Sequence, residues 1–269
     1  MKRLVLRSNR RALAVLVAMI AATLASVVPS AVATTASAGT PSLTGSITVS
    51  AASSLTGVFT QLGRQFQAAH HHTTIAFNFA SSSTLALQIQ QGAPADVFAS
   101  ASVKDMGGVQ KSGDIAGAVS IFARNTLAIV VKPGNPLHIR SLADLTKARV
   151  VALCVVSAPC GAAARKALAK SKVTIPIARI SLGQDVKSTL AQVTTGDANA
   201  AIVFVTDAKT AHGQDVVVVI PTFENVITSY PIGLVKATTN RALAQAWISY
   251  VLGPSGQRAL RLAGFLSAR

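Results

Sequence analysis

The apolar residues of this chain alternate between a period of two and a period near 3.6. Ile47, Thr48 and Val49 predict a strand, and apolar residues at helical spacing follow from Leu55 to Phe66. Further strands are predicted over 75–79, 95–99, 127–131, 150–153, 200–205, 216–220 (as a buried strand) and 232–235, with helices near 85–89, 103–109, 162–170, 190–193, 207, 243–251 and 254–262. Strands that alternate with helices predict parallel sheets covered by helices.

The same alternation occurs twice, which predicts two units of similar size. Lys132-Pro133-Gly134 ends the first run, and the pattern then begins again. We expect the chain to enter the second unit near Val130 and to return near Tyr230. The predicted fold is therefore α/β with two lobes, lobe 1 from 39–128 plus 229–269 and lobe 2 from 129–228. Two crossing segments would leave a cleft between the lobes, where the carboxyl ends of parallel strands bind ligands.

The N-terminal residues have the order of a secretory signal peptide. Five basic residues precede an apolar run from Ala12 to about Ala25, and Ala31-Val32-Ala33 and Ala36-Ser37-Ala38 are small-x-small cleavage patterns. The alternative is a membrane anchor, but the run is short for a bilayer span of ~20 residues. We therefore expect 1–38 to be a signal peptide with its leader, and the protein to be exported to the periplasm or the exterior of the cell envelope.

The charge is strongly basic, with 25 Lys and Arg residues against nine acidic residues and a net charge of +16. Such a charge is compatible with nucleic acid or an anionic surface. However, the cations are scattered singly and aromatic residues make up only 4% of the chain. This pattern argues against nucleic acid as a partner and is weakly in favour of an anionic ligand.

Two cysteines, Cys154 and Cys160, leave three interpretations open. An even count in an exported chain favours a disulfide, and the alternatives are two free thiols or a metal pair. No His or acidic residue lies between them, which argues against the metal pair. His70-His71-His72 falls in a polar turn after a helix, where three adjacent side chains cannot all face one ion. No metal site is expected.

Enzyme motifs are not evident. The chain has no Gly-x-Ser-x-Gly elbow, His-Glu-x-x-His or phosphate-loop lysine motif, and Glu224 is its single glutamate. The isolated histidines, His138 and His212, fall in predicted surface turns. A secreted serine hydrolase remains an alternative, and it would need a His or Lys base beside a cleft serine.

Hydroxyl and small residues stand at four predicted strand-to-helix junctions. These are Ser53-Ser54, Ser81 to Thr84, Pro159-Cys160-Gly161 before a helix starting at Ala162, and Gln184-Asp185-Val186. The first turn of a helix has unpaired N–H groups and the positive end of the helix dipole, which together bind anions. Ordinary N-capping explains any one junction, but four junctions shared between two lobes favour an oxyanion site.

Several segments of the chain, two of them at these junctions, resemble the molybdate-binding proteins of ABC importers. The resemblance rests on Ile47 to Leu55, Phe79 to Leu85, Gly92-Ala93-Pro94-Ala95-Asp96-Val97-Phe98 and Tyr230-Pro231-Ile232, and covers about 46–266. It implies the two-lobed periplasmic-binding-protein fold of type II, with the ligand in the cleft.

The resemblance also implies a set of ligand-binding residues. Ser54 and Ser82 of the first lobe match two serines that hold the oxyanion by side chain and backbone, and Cys160 and Val186 match backbone N–H donors of the second lobe. Phe204 stands where the family often has a tyrosine. The missing hydroxyl contact is then either absent, replaced by Thr206, or made by water. Cys160 contributes only backbone, so it stays free to pair with Cys154.

The function implied is transport without chemistry. The ligand is molybdate or tungstate, no cofactor is needed, and the expected partners are an ABC permease and its ATPase, with the protein as a monomer and not an enzyme. Three alternatives remain, namely a sulfate- or phosphate-binding protein, a sensor or adhesion module with the same fold, and the serine hydrolase.

Overall fold

The two predicted units form two five-stranded sheets. A computed structural model describes residues 43–211 and 216–268, so the predicted signal peptide over 1–38 lies outside the described residues, as does His212. The strands are β1 (Gly45–Ala52), β2 (Thr73–Ala80), β3 (Val97–Ala99), β4 (Ile115–Asn125), β5 (Leu127–Val131), β6 (Val151–Cys154), β7 (Ile180–Gly183), β8 (Ala200–Phe204), β9 (Val216–Val219) and β10 (Thr228–Val235).

Eight α-helices connect and cover these strands in the described part of the chain. They are α1 (Thr56–Ala69), α2 (Ser82–Gln90), α3 (Val103–Lys111), α4 (Pro159–Lys170), α5 (Val186–Thr194), α6 (Val205–Ala208), α7 (Arg241–Leu252) and α8 (Pro254–Ala263). Short 3-10 turns lie at Ser53–Leu55, Ala143–Lys147 and Ile177–Arg179. Gly253 separates α7 from α8, as the sequence predicts, and α8 begins at Pro254 because proline is accepted at a first helical position.

Lobe 1 contains the sheet β2-β1-β3-β10-β4 and lobe 2 the sheet β7-β6-β8-β5-β9. Both sheets are mixed. β1 is parallel to β2 and β3, and β6 is parallel to β7 and β8, as the alternating pattern predicts. β10 and β5 run antiparallel to their neighbours. The antiparallel strands are those that follow a crossing between the lobes, where no helical crossover sets the direction.

Three strands differ from the prediction. β4 and β7 are not predicted at all, and β9 is an edge strand in which Val217 and Val219 are 42% and 77% exposed rather than buried. In a run of four valines no polar residue alternates with the apolar ones, so the sequence does not indicate which face of the strand is exposed. β4 contains Gly117 with a φ of 71°, which interrupts the alternation that marks a strand.

The lobes are joined by two crossings. β4 ends at Asn125 and β5 begins at Leu127, while β9 ends at Val219 and β10 begins at Thr228. Each lobe has its own buried strands and helices, and the core of lobe 1 includes an aromatic group in which Trp247 meets Phe59 and Phe66 edge-on at 5.6 and 5.7 Å. No helix in the two described stretches combines the length and apolar character that crossing a bilayer requires.

Candidate functional site

A small cavity lies between the lobes, where the predicted junctions meet. Its empty volume is about 200 Å³, which includes the space at its opening to solvent. The residues that line it are Ala52, Ser53, Ser54, Ala80, Ser81, Ser82, Ala101, Pro159, Cys160, Asp185, Val186 and Phe204. The five residues predicted as ligand-binding, Ser54, Ser82, Cys160, Val186 and Phe204, are all on this wall.

Residues at the starts of four helical segments, two from each lobe, line the cavity. The 3-10 turn Ser53–Leu55 leads into α1, and α2, α4 and α5 begin at Ser82, Pro159 and Val186. The helix α4 therefore begins three residues earlier than predicted, because proline needs no N–H partner at the first position. N–H groups of a first turn have no partner inside their own helix, so the wall carries several neutral donors and four positive dipole ends.

On the lobe 1 side, Ser82 is oriented by a neighbouring loop. The N–H of Ala101 donates to Ser82 Oγ over 2.8 Å, and the serine is 1% exposed. Ser81 supplies the cap of the same helix by accepting from the N–H of Thr84 at 3.3 Å. Both serines line the cavity, but Ser81 supplies the cap, so the Ser82 hydroxyl keeps its proton free to donate.

The second serine of lobe 1, Ser54, is hydrogen-bonded to a tyrosine that lies 176 positions away. Ser54 Oγ and Tyr230 Oη are 2.9 Å apart in a buried environment. Asn125 Nδ2 donates to the same Tyr230 oxygen at 3.3 Å and to Thr206 Oγ1 at 2.8 Å. The sequence shows Tyr230 only as part of a motif, and nothing in it predicts Asn125, since these contacts depend on the tertiary fold.

On the lobe 2 side, Cys160 lies in the first turn of α4 and is bonded to Cys154, so the predicted disulfide is confirmed. Arg165 Nη1 donates to the carbonyl oxygens of Cys154 (3.0 Å) and Gly161 (3.2 Å), which ties the helix to the strand it follows. A Cβ on Gly161 would lie 2.0 Å from the Val155 carbonyl oxygen. The close approach therefore needs glycine. The disulfide and the Arg165 hydrogen bonds together fix the turn that presents the Cys160 N–H.

Val186 is the first residue of α5, and a capping box fixes the helix start. The N–H of Ser188 donates to Asp185 Oδ1 at 2.8 Å, and the N–H of Asp185 donates to Ser188 Oγ at 3.1 Å. These bonds occupy Oδ1 of Asp185, the one charged residue among those lining the cavity. The N–H of Val186 is left for the cavity.

Phe204 contributes a ring and no hydroxyl. It is 2% exposed, ends β8, and its ring centroid lies 6.0 Å from that of Tyr230. Thr206 is not among the residues lining the small cavity. Its hydroxyl accepts from Asn125, and its side chain lines a neighbouring, larger cavity together with Lys187 and Lys209. The geometry does not favour Thr206 as the replacement for a tyrosine hydroxyl.

No lysine or arginine is among the residues that line the small cavity. Beside it, Lys187 Nζ lies 3.1 Å from Asp207 Oδ1, within ion-pair distance but without hydrogen-bond geometry. Asp207 is fully buried, and burial raises its pKa to about 6 although the lysine opposes this. The donors on the wall are therefore neutral groups, and Lys187, which follows Val186 in the chain, is paired with Asp207.

Among the described residues, neither serine has a base as its hydrogen-bond partner. The hydrogen-bond partners of Ser54 and Ser82 are Tyr230 and the Ala101 backbone. Burial raises the pKa of Tyr230 far above its usual value, so the phenol stays protonated and cannot act as a base. His138 is exposed on lobe 2, His71 and His72 are exposed in the turn after α1, and the described residues contain no group of three or more His, Cys, Asp and Glu placed for a metal.

Comparison with known proteins agrees with this architecture. The sequence profile of the bacterial extracellular solute-binding proteins matches residues 47–266. The molybdate-binding protein ModA of Mycobacterium tuberculosis H37Rv is 41% identical over 216 residues, covering 80% of this chain and 82% of its own.

Two solved structures show the same fold at low identity. The periplasmic molybdate-binding protein of Azotobacter vinelandii has a TM-score of 0.73 at 22% identity, over 82% of this chain and 98% of its own. The sulfate-binding protein SubI of M. tuberculosis has a TM-score of 0.74 at 17% identity, over 82% and 86%. These two likenesses concern the two-lobed fold alone. Together with the profile and the mycobacterial relative, the two lobes and their shared cavity identify the chain as a member of the bacterial extracellular solute-binding proteins.

Proposed function

We propose that this protein binds molybdate or tungstate between its lobes and delivers the ion to an ABC permease and its ATPase in the membrane. The carrying observation is that four helical N-termini, two from each lobe, converge on one small cavity without a lysine or arginine on its wall. The 41% identical relative named as molybdate-binding supports the choice of ion.

In this proposal each lobe supplies donors of its own kind. Ser54 and Ser82 donate through hydroxyl and backbone groups, and Cys160 and Val186 donate through N–H groups. The Ser82 oxygen accepts from Ala101, so its proton is available to an anion. Donors of this kind suit an oxyanion that carries no proton, because such an ion accepts hydrogen bonds on every side.

The proposed transport cycle needs no covalent step and no cofactor. The ion is captured on one lobe, the lobes close by hinge bending, and the closed form docks on the permease. The lobes proposed to close on each other comprise 39–128 plus 229–269 and 129–228. The protein would act as an exported monomer at the periplasmic or outer side of the membrane, without enzyme activity.

The test is calorimetric titration of the anion-free protein with molybdate, tungstate, sulfate and phosphate at one ionic strength. We expect sub-micromolar binding of molybdate and tungstate and much weaker binding of the other two. Tight binding of sulfate or phosphate instead would change the proposed substrate to that ion and leave the proposed transport role unchanged. The absence of heat with all four anions would refute an oxyanion receptor.

Sulfate is the second candidate, since the sulfate-binding protein SubI shares the fold. The two ions differ in size, so the cavity selects between them by the spacing of the donors across the closed cleft. A titration series at equal ionic strength separates these two candidates directly.

A further inference from the structure

Tyr230 is a buried tyrosine whose hydroxyl reaches the back of the proposed site. It lies in β10, is 0% exposed, and packs edge-on against the rings of Phe122, Phe204 and Phe265. Tyr230 is not among the residues that line the small cavity, and yet its hydroxyl lies 2.9 Å from Ser54 Oγ, which is on the wall. Its hydrogen-bond route to the wall therefore runs through Ser54.

The direction of the hydrogen bonds around Tyr230 follows from the orientation of Asn125. The N–H of Thr126 donates to Asn125 Oδ1 at 3.0 Å, which requires the amide oxygen at that position. The amide nitrogen then faces Tyr230 Oη at 3.3 Å and Thr206 Oγ1 at 2.8 Å. An amide nitrogen can only donate, so the Tyr230 oxygen accepts from Asn125.

The proton of Tyr230 is consequently directed to Ser54. Of the two hydrogen-bond partners of Tyr230 Oη among the described residues, only Ser54 Oγ can accept, so the phenol O–H points along the 2.9 Å contact to it. Ser54 Oγ then accepts, and its proton is left to point into the cavity. Because burial holds the pKa of Tyr230 far above its ordinary value, this direction is kept throughout the physiological pH range.

We propose that Tyr230 is a positioning residue that, with Asn125, fixes the Ser54 hydroxyl as a donor to the bound oxyanion. This inference rests on the proposed function of the cavity. Phe204, whose ring lies against Tyr230, has no hydroxyl to offer. The hydrogen-bonded group Asn125, Tyr230 and Ser54, called the relay below, therefore orients the Ser54 hydroxyl from behind the cavity wall. It does so beside Phe204, where the wall has no hydroxyl.

The relay belongs to lobe 1 before any ion arrives. Ser54 follows β1, and Tyr230 and Asn125 lie on β10 and β4, which pair in the same sheet. These three residues therefore lie on one lobe, and Asn125 also donates to Thr206 of lobe 2 at 2.8 Å. The donor is therefore set in advance, and a bound ion does not have to order it.

A double-mutant cycle with molybdate as the probe tests the relay in the full chain. We expect Tyr230→Phe to weaken binding about 5- to 10-fold and Ser54→Ala to weaken it at least as much. The double variant should bind like Ser54→Ala alone, within about twofold, because the phenol has nothing left to orient. Tyr250→Phe is the matched control, since its hydroxyl contacts Gln65 at 3.4 Å on the exposed side of α7, and it should bind as wild type.

Two outcomes would overturn the inference. One is an unchanged affinity in Tyr230→Phe, and the other is an equal loss from Tyr230→Phe whether Ser54 is present or has been replaced by alanine. A wild-type protein that fails to bind molybdate would instead overturn the proposed function, so the two failures are distinguishable.

A fluorine label decides the matter if Tyr230→Phe does not fold. In Tyr250→Phe protein grown on 3-fluorotyrosine, Tyr230 is the only labelled residue, since the chain has two tyrosines. We expect its ¹⁹F resonance to shift on molybdate saturation and the shift to be lost in Ser54→Ala. A resonance that does not move in the protein that retains Ser54, or that moves equally in both, contradicts the relay.

Discussion

The two halves of the cavity present donors in different ways. Lobe 1 uses serine hydroxyls, and each is oriented by a second group, Ala101 N–H for Ser82 and Tyr230 for Ser54. Lobe 2 uses first-turn N–H groups, and its supports act on the backbone through the disulfide at Cys160 and the capping box at Asp185. A hydroxyl rotates and needs a partner to set its proton, whereas an N–H is set once its helix is fixed.

This difference predicts that the two halves fail differently. Removing a side chain in lobe 1 removes a donor, so the loss appears mainly in anion affinity. Loosening a support in lobe 2 leaves the N–H groups in place, so the loss appears mainly in stability.

Ser82→Ala should cause the largest loss of affinity. A hydrogen bond to a charged ligand contributes roughly 1.5–3 kcal/mol, which corresponds to about a 10- to 100-fold rise in Kd for molybdate. The N–H of Ala101 also loses its acceptor, so stability falls as well. Ser83→Ala is the matched control, because Ser83 bonds Ser81 and is not among the residues lining the cavity. Equal affinities in the two variants would contradict a hydroxyl contact from Ser82.

Asp207 should make stability fall as pH rises, an effect that belongs to lobe 2. Its pKa is raised by burial from 3.8 to about 6, so the folded state holds the proton more tightly than the unfolded state between these values. The unfolding free energy should therefore fall by on the order of 2 kcal/mol between about pH 4 and pH 7, relative to Asp207→Asn. Urea unfolding of both proteins across this range measures it. Parallel pH profiles in the two proteins would show that Asp207 does not titrate in this window.

Removing the disulfide should separate stability from affinity. In the double variant Cys154→Ala with Cys160→Ala, the closed loop is short, and its loss costs about 2 kcal/mol of stability. The N–H of residue 160 remains, so molybdate affinity should fall only a few-fold. Reductant added to the wild-type protein should shift the melting temperature in the same direction. An affinity loss as large as that of Ser82→Ala would contradict the expectation that lobe 2 supports affect mainly stability.

Phe204→Tyr should change molybdate affinity least, and it should raise the affinity rather than lower it. A hydroxyl at this position gives lobe 2 the side-chain donor that it lacks, and one such bond is worth about a tenfold increase in affinity. Phe223→Tyr is the control, because Phe223 is 72% exposed in the turn after β9. An unchanged titration curve in Phe204→Tyr would mean that the added hydroxyl does not reach the ion.

The sequence predicts where the helices of the site begin better than it predicts which residues orient the donor groups there. Ser82 follows from local rules, since it stands where a strand pattern gives way to a helical one, and Val186 stands where a helical pattern begins after Gln184-Asp185. The partners of Ser54 and Ser82 are 176 and 19 positions away, and no local pattern identifies Tyr230 or Ala101 as those partners. β7 is not predicted, and β9 is predicted at the right place but as a buried strand, for a related reason: exposure at a sheet edge depends on which strand is last.

A wall without lysine or arginine has a consequence for how long an ion resides in the cleft. Since each lobe holds its own share of the donors, separating the lobes strips the ion of half its partners at once, and no fixed positive charge remains on the wall to retain it. Escape should then be limited by the opening motion and be nearly independent of salt. Capture should slow as salt screens the net positive charge of the chain.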